Sequence, residues 1–113
     1  MKVQITDVWP RIHALVGASI CLSGGLFVGD DTFVAGSRES CLRGERLRLR
    51  DGGRIREYLL TVLPAWGGGP FIYNETVTVT GTIRRTEDGF ELAELSECTV
   101  KSADDESEVV VPL

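Results

Sequence analysis

Alternation of apolar and polar residues is clearest between Glu75 and Val100, where two strand-like runs flank the turn signal Glu87-Asp88-Gly89. In the first run, apolar residues and glycine alternate with threonine, which is the period of two that a half-buried strand requires. The residues of the apolar face are Val77, Val79, Gly81 and Ile83. The alternation of the second run changes phase, so we expect a bulge between Leu92 and Cys98. The segment predicts a long β-hairpin.

Weaker strand signals precede this hairpin. Met1 to Pro10 predicts a short edge strand or an ordered arm, and Ile12 to Leu22 predicts a buried strand that bends at Gly17. Turn signals then follow at Ser23-Gly24-Gly25 and at Gly29-Asp30-Asp31. Two further short strands are expected, one between these turns and one directly after the second.

In the middle of the chain, the spacing of apolar residues changes from a period of two to a period of 3.6. Arg46 to Arg50 alternates arginine with leucine, which predicts a half-buried strand with three guanidinium groups on one face. Gly36 to Gly44, before it, predicts a loop. From Arg54 the apolar period becomes 3.6 and Pro64 ends it, which predicts the one clear helix of the chain. A helix of about ten residues is marginal in water by itself, so its apolar face must pack on the sheet.

The order of short strands, one helix and two long strands resembles the OB-fold, a five-stranded Greek-key barrel with a helix between strands three and four. The resemblance is carried by Gly17 in the first strand, by the helix Ile55 to Leu63 stopped at Pro64, and by the VTVTGTI segment from Val77 to Ile83. It covers residues Ile12 to Val100 and concerns the fold, not a particular family. We therefore predict a mainly β protein, a small five- to six-stranded Greek-key barrel of OB-like type with one α-helix between strands three and four. An SH3-like barrel and a small sandwich are the alternatives.

Length and composition agree with one small globular domain. The 113 residues are enough for one continuous core, so we predict a single domain spanning residues 1–113. Apolar residues make up 42% and charged residues 26%, as in ordinary soluble proteins. The 13 glycines suit a chain with many tight turns.

Charge is distributed unevenly along this acidic chain. The formal net charge is −5, which disfavours general attraction to phosphate backbones. The segment from Arg38 to Arg56 contains seven arginines and three acidic residues, whereas the segment from Thr86 to Leu113 contains nine acidic residues and one lysine. The folded molecule could therefore present a basic and an acidic face, or the two segments could pair.

The residues that usually carry chemistry form no motif. Cys21, Cys41 and Cys98 are odd in number and widely spaced, which indicates buried free thiols in a reducing cytosol and no disulfide framework or zinc site. His13 is the sole histidine and has no nucleophile motif beside it. The uncharged run from Leu15 to Gly29 is too short and too rich in glycine to span a bilayer. We predict no enzyme, no metal site, no cofactor and no membrane partner.

The OB-like resemblance implies a ligand face on strands two and three, where such folds bind oligonucleotides, oligosaccharides or protein segments. On this chain the third strand would carry Arg46, Arg48 and Arg50, and guanidinium groups bind phosphate or carboxylate bidentately. Trp66 and Tyr73 are aromatic candidates for the same ligand-binding site.

A second interpretation exists for each of these features. The arginine row can be a solvated strand face paired with glutamates of the last strand, namely Glu91, Glu94 and Glu97. Trp66 can equally plug the end of the barrel beneath the helix.

We expect a small non-catalytic binding module of the cytosol whose partner is another protein. The chain is similar in general character to small acidic bacterial immunity and adaptor proteins, although no motif carries that comparison. The alternative is a single-stranded nucleic-acid-binding protein that uses Arg46, Arg48 and Arg50 with help from Trp66 or Tyr73. Net charge disfavours this alternative.

Overall fold

The computed structural model describes residues 2–63, 71, 73–102 and 107–113, and strands dominate these residues. The N-terminal third holds two short helical segments among its strands, and the described residues from 73 onward are mostly strand. In chain order the elements are β1 Lys2–Gln4, α1 Ile5–Val8, a 3-10 helix Trp9–Leu15, β2 Ser19–Val28, β3 Thr32–Ala35, α2 Arg38–Leu42, β4 Arg46–Leu49, α3 Gly52–Val62, β5 Tyr73–Thr86, β6 Gly89–Lys101 and β7 Glu108–Val110.

Five of the strands close into a barrel. Their order is β2-β3-β4-β6-β5, and β5 pairs again with β2 along ten residues to complete the circle. The contact between β4 and β6 is parallel, and the other four contacts are antiparallel. Closure removes the exposed edges that an open sheet of this size would carry. The prediction of a mainly β protein with a small barrel, and with α3 between the third and fourth barrel strands, is confirmed.

The long hairpin of β5 and β6 provides much of the barrel wall. Its inward residues are buried, as the alternation predicts: Val77, Val79, Gly81 and Ile83. The chain reverses at Glu87-Asp88, also as predicted. The pairing shifts register between Thr80 and Thr82, and Glu94 takes a left-handed φ of 53° there, so the bulge in the second arm is confirmed.

Helix α3 packs against the barrel through its apolar face. Ile55 and Leu59 are fully buried, and the amide of Leu63 donates to the carbonyl of Leu59 at the end of the helix. The 3.6 period of the sequence thus corresponds to a real helix with one buried stripe. The hydroxyl of Tyr73, at the start of β5, donates to the Leu63 carbonyl at 2.8 Å and links helix to barrel.

The N-terminal region differs from its prediction. Residues 9–15 form a 3-10 helix and not the first half of a strand, and β2 begins later, at Ser19. Gly17 therefore lies before β2, in a turn with φ of +91°, a left-handed conformation that favours glycine. Of the two possibilities predicted for Met1 to Pro10, the short edge strand is present: β1 has three residues and pairs in parallel with β2 before the chain enters α1.

The turn predicted at Ser23-Gly24-Gly25 is also wrong, because these residues lie inside β2. Gly24 serves a close contact there: a Cβ at this position would lie 2.6 Å from Cγ2 of Ile5. Glycine marks tight packing inside strands as well as turns, and its sequence signal is the same in both cases. The second predicted turn, Gly29 to Asp31, does separate β2 from β3.

The predicted loop before β4 contains the short helix α2. Ser37 caps it, because its hydroxyl oxygen accepts a hydrogen bond from the Ser40 amide at 3.1 Å. This helix covers a second, smaller apolar cluster outside the barrel, made of Phe27, Ala35, Cys41 and Phe71, with half-buried Phe33 packed against it. The outer surface of β2 and β3 is therefore largely closed, and the open surface begins at Phe33 and continues over β4.

Candidate groove on the outer face of β3 and β4

Strand β4 turns its arginines outward, as the alternation predicts. Leu47 and Leu49 are buried in the barrel, so Arg46 and Arg48 project from its outer surface. Phe33 of β3 stands directly opposite Arg48 in the register and shares that surface. Glu91 of β6 stands opposite Arg48 on the other side. A row of aromatic, cationic and anionic side chains thus crosses three strands.

Glu91 is the centre of the charged part of this row. Its side chain is 5% exposed, and its two carboxylate oxygens are engaged separately. Nη2 of Arg48 lies 3.2 Å from Oε2, and Nε of Arg50 lies 3.3 Å from Oε1. One nearly buried carboxylate therefore holds two guanidinium groups side by side. Arg48 and Arg50 are thus paired with a glutamate of the last long strand, as the second interpretation of the arginine row expects.

Arg46 is fixed by different contacts. Its guanidinium carbon lies 4.1 Å from the centre of the Phe33 ring, which is cation–π geometry. Its Nη1 donates to the carbonyl of Cys41 at 3.0 Å, near the end of α2. Burial raises the pKa of the Cys41 thiol, and the nearby Arg46 guanidinium partly opposes that rise. The thiol is therefore a packing group and the arginine is held in place.

A groove of about 390 Å³ runs over this surface. The β2–β3 turn lines it through Asp31, and the β5–β6 turn lines it through Glu87 and Asp88. Its lining also includes three aromatic side chains and two arginines, namely Trp9, Phe33, Phe90, Arg46 and Arg48. A smaller cavity of about 260 Å³ shares Asp31 and Arg48 and extends toward Arg50 and the start of α3. Volumes of this size suit a few side chains of a ligand.

The N-terminal segment supplies one end of the groove. The ring of Trp9 meets that of Phe90 edge to face at 6.0 Å, and the His13 ring packs on the same phenylalanine at 5.0 Å. Nδ1 of His13 lies 2.8 Å from Nη2 of Arg85. The sole histidine is therefore part of the packing that fixes Phe90.

The predicted site residues separate into three groups. Arg46 and Arg48 line the groove and Arg50 lies beside it, so the structure brings this row together. Tyr73 is fully buried in the barrel and is not brought to the arginines. Burial raises the pKa of its hydroxyl, and the Glu75 carboxylate adds to that rise. Trp66 lies outside the described residues.

Sequence reasoning missed the groove residues that come from other elements. Phe33 is near the arginines in sequence and could contribute to their face, but the sequence favours a core position for it. Its place in the groove follows from the register between β3 and β4, which are connected through α2. Glu87 and Asp88 are predicted as a turn, but their position opposite β4 follows from the parallel pairing of β4 with β6. Trp9 is placed by a 3-10 helix that the alternation does not reveal.

A metal-binding cluster and a membrane-spanning helix are both absent from the described part of the chain. No group of three or more His, Cys, Asp or Glu side chains within it is placed to hold a metal ion. No helix among the same residues is long and apolar enough to cross a membrane.

The chain matches no protein-family model, no curated protein and no solved structure.

Proposed function

We propose that this protein is a small non-catalytic binding module of the cytosol, with an OB-fold barrel, that acts by binding another protein, as adaptor and immunity proteins do. The observation that carries the proposal is the groove over β3 and β4, whose half-buried aromatic side chains form its floor and whose exposed acidic side chains form its rim. This is the common composition of protein-binding surfaces, where aromatic anchors lie inside a polar border.

The position of the groove supports the OB-fold assignment. In OB-folds the ligand face is formed by strands two and three and is flanked by the loops between strands one and two and between strands four and five. The corresponding elements here are β3 and β4, the turn that contains Asp31, and the turn at Glu87-Asp88. Three free cysteines support a reducing compartment such as the cytosol.

An affinity capture experiment tests the proposal through the shape of the groove. Thr86 lines the groove, so Thr86→Trp would fill part of it without any change of charge. Thr61→Trp, on the exposed last turn of α3, is the matched control. We expect the wild-type protein and the control to retain one stoichiometric protein partner from the source cells, and the groove variant to lose it. Circular dichroism should show that all three proteins fold alike.

Two results would contradict the proposal. If a stoichiometric partner remains bound to Thr86→Trp, the groove is not the contact. If all three proteins capture nucleic acid and no protein, the class of partner is wrong.

Single-stranded nucleic acid is the second candidate, and Phe33 is the observation that favours it. Its ring stands beside Arg48 and under Arg46, which adds to the arginine row the aromatic side chain that strand β4 lacks. It ranks second because Glu91 already neutralises part of the row. Fluorescence titration with short oligonucleotides should show affinity that falls steeply with salt if this candidate is right.

A further inference from the structure

The positive charges of the groove are already engaged by the protein itself. Arg48 shares the Glu91 carboxylate with Arg50, and Arg46 is held by the Phe33 ring and the Cys41 carbonyl. A guanidinium that is paired and stacked attracts an incoming anion less than a free one, because its field is partly cancelled locally. Glu91 thus cancels one of the three arginine charges, and contacts within the protein hold all three guanidinium groups in place.

The negative charges of the groove, in contrast, have no counter-charge among the residues that the structure describes. Asp31, Glu87 and Asp88 are exposed, and none of them forms an ion pair with another residue that the structure describes. Asp31 lies in the β2–β3 turn beside β3, and Glu87 and Asp88 lie in the β5–β6 turn beside β6, so the three acids come from the two strands that flank β4. A ligand in the groove would thus meet unpaired carboxylates on both sides, in a protein whose net charge is −5.

Aromatic rings line the same groove. Phe33 and Phe90 are half-buried, and Trp9 packs edge to face on Phe90. Such rings can cover the aliphatic stem of a lysine or arginine. Arg46 already stacks on the Phe33 ring and Arg85 lies over the Phe90 ring, so the apolar contact is what these rings offer to a ligand. The combination of aromatic floor and acidic rim suits a long cationic side chain better than a phosphate, which the rim would repel.

We propose that the groove binds an extended, basic segment of the partner protein, with arginine or lysine side chains directed at Asp31 and at the Glu87-Asp88 turn. The inference rests on the proposed function and adds the chemistry of the partner. Rim charges mainly steer encounter and fix the register of a bound segment, and the aromatic floor contributes the apolar contact. Nucleic acid, whose phosphates are anionic, is the opposing outcome of the test.

The test uses two short synthetic peptides and one oligonucleotide as probes. The first peptide alternates arginine with leucine, the second has glutamate in place of each arginine, and the third probe is a short oligothymidylate. Each is titrated into the ¹⁵N-labelled full chain while amide shifts are followed. We expect the arginine peptide alone to shift amides near Asp31, Phe33 and the turn at residues 87–89, with affinity that falls as salt rises.

Variants assign the effect to the carboxylates. The triple variant Asp31→Asn, Glu87→Gln, Asp88→Asn should bind the arginine peptide about tenfold more weakly, because each exposed ion pair contributes modestly. Glu57→Gln, an exposed acid on α3, changes the net charge elsewhere and should leave the affinity within about twofold.

Several results would overturn the inference. It fails if the arginine peptide shifts no amides or shifts those of another surface. It also fails if the glutamate peptide or the oligothymidylate occupies the groove, or if the triple variant binds as tightly as the wild type. Should Thr86→Trp abolish capture of a protein partner while the triple variant retains it, the groove is the binding site and only the basic character of the segment is wrong. If Thr86→Trp retains the partner, the proposed function fails with it.

Discussion

Glu91 is the residue on which the surface of β4 depends. A carboxylate that is 5% exposed has lost most of its hydration, and two arginines from β4 and its end supply the compensating charge. The arginines themselves remain about half exposed, so water still solvates them when the carboxylate is absent. Glu91 therefore depends on the two arginines for charge compensation more than the arginines depend on Glu91.

This asymmetry predicts the cost of removing each charge. The double variant Arg48→Met, Arg50→Met leaves the Glu91 carboxylate without a counter-charge and should lower the free energy of unfolding by about 2 kcal/mol. Methionine retains much of the aliphatic stem, so the loss reports mainly on charge. Urea denaturation measures the difference.

Arg84→Met is the matched control for that measurement. Arg84 pairs with Glu94 at 2.8 Å, but both side chains are exposed, so its removal should cost less than about 1 kcal/mol. If Arg84→Met lowers the free energy of unfolding as much as the double variant at Arg48 and Arg50 does, then Glu91 does not require its arginines.

At the scale of single elements, the predictable parts are those whose pattern is local. The β5–β6 hairpin, its bulge, β4 and α3 all follow from period and turn residues within their own segments. The N-terminal third could not be predicted in the same way. Gly24 and Gly25 lie in a strand because they pair with β5, and Ile5 and Phe27 leave no room for a Cβ there; both the pairing and the contacts exist only after folding.

The same distinction divides the candidate site. Arg46 and Arg48 could be placed on one face from their alternation alone, because a strand alternates its side chains. Their partners could not be placed, since Phe33, Glu91 and the acidic turn reach the groove through the barrel register. The periodicity of the sequence predicts which residues share one face of a strand or helix. The pairing of strands then determines which faces meet to form a site.

Two glycines in different elements should respond oppositely to alanine. At Gly81, in β5, a new Cβ would lie 2.7 Å from the Ala93 carbonyl oxygen and 2.9 Å from Cγ of Leu92, so the β5–β6 pair must shift. Gly81→Ala should therefore lower the free energy of unfolding by about 2 kcal/mol. Thermal or urea unfolding measures it.

Gly53, in the first turn of α3, is the matched control. A Cβ there meets no atom within 4 Å, and its backbone is helical. Gly53→Ala should raise the free energy of unfolding by about 0.5 kcal/mol, because alanine restricts the unfolded chain and favours helix. A stabilising Gly81→Ala would mean that β5 and β6 are less tightly packed at the bulge than these distances indicate.

For the whole molecule, burial of ionisable groups links stability to alkaline pH. Burial raises the pKa of the Cys41 and Tyr73 side chains above their ordinary values, and it raises the pKa of the Cys98 thiol to about 12. All three shifts have the same sign, so the folded protein holds these protons more tightly than the unfolded chain. Stability must therefore fall as pH rises past the ordinary values of these groups.

Cys98 allows the clearest measurement, because its shift is the largest. Below pH 9.0, the ordinary value, the thiol keeps its proton in both states, and its contribution to stability is fully present. Between pH 9.0 and about 12 the unfolded chain releases the proton while the folded barrel retains it, so the free energy of unfolding falls. One such group gives a slope of about 1.4 kcal/mol per pH unit.

Cys98→Val removes that group while it keeps an apolar side chain in β6, so urea denaturation across this pH range should show a shallower decline than in the wild type. A decline that is equally steep in the variant would mean that Cys98 does not retain its proton in the folded core.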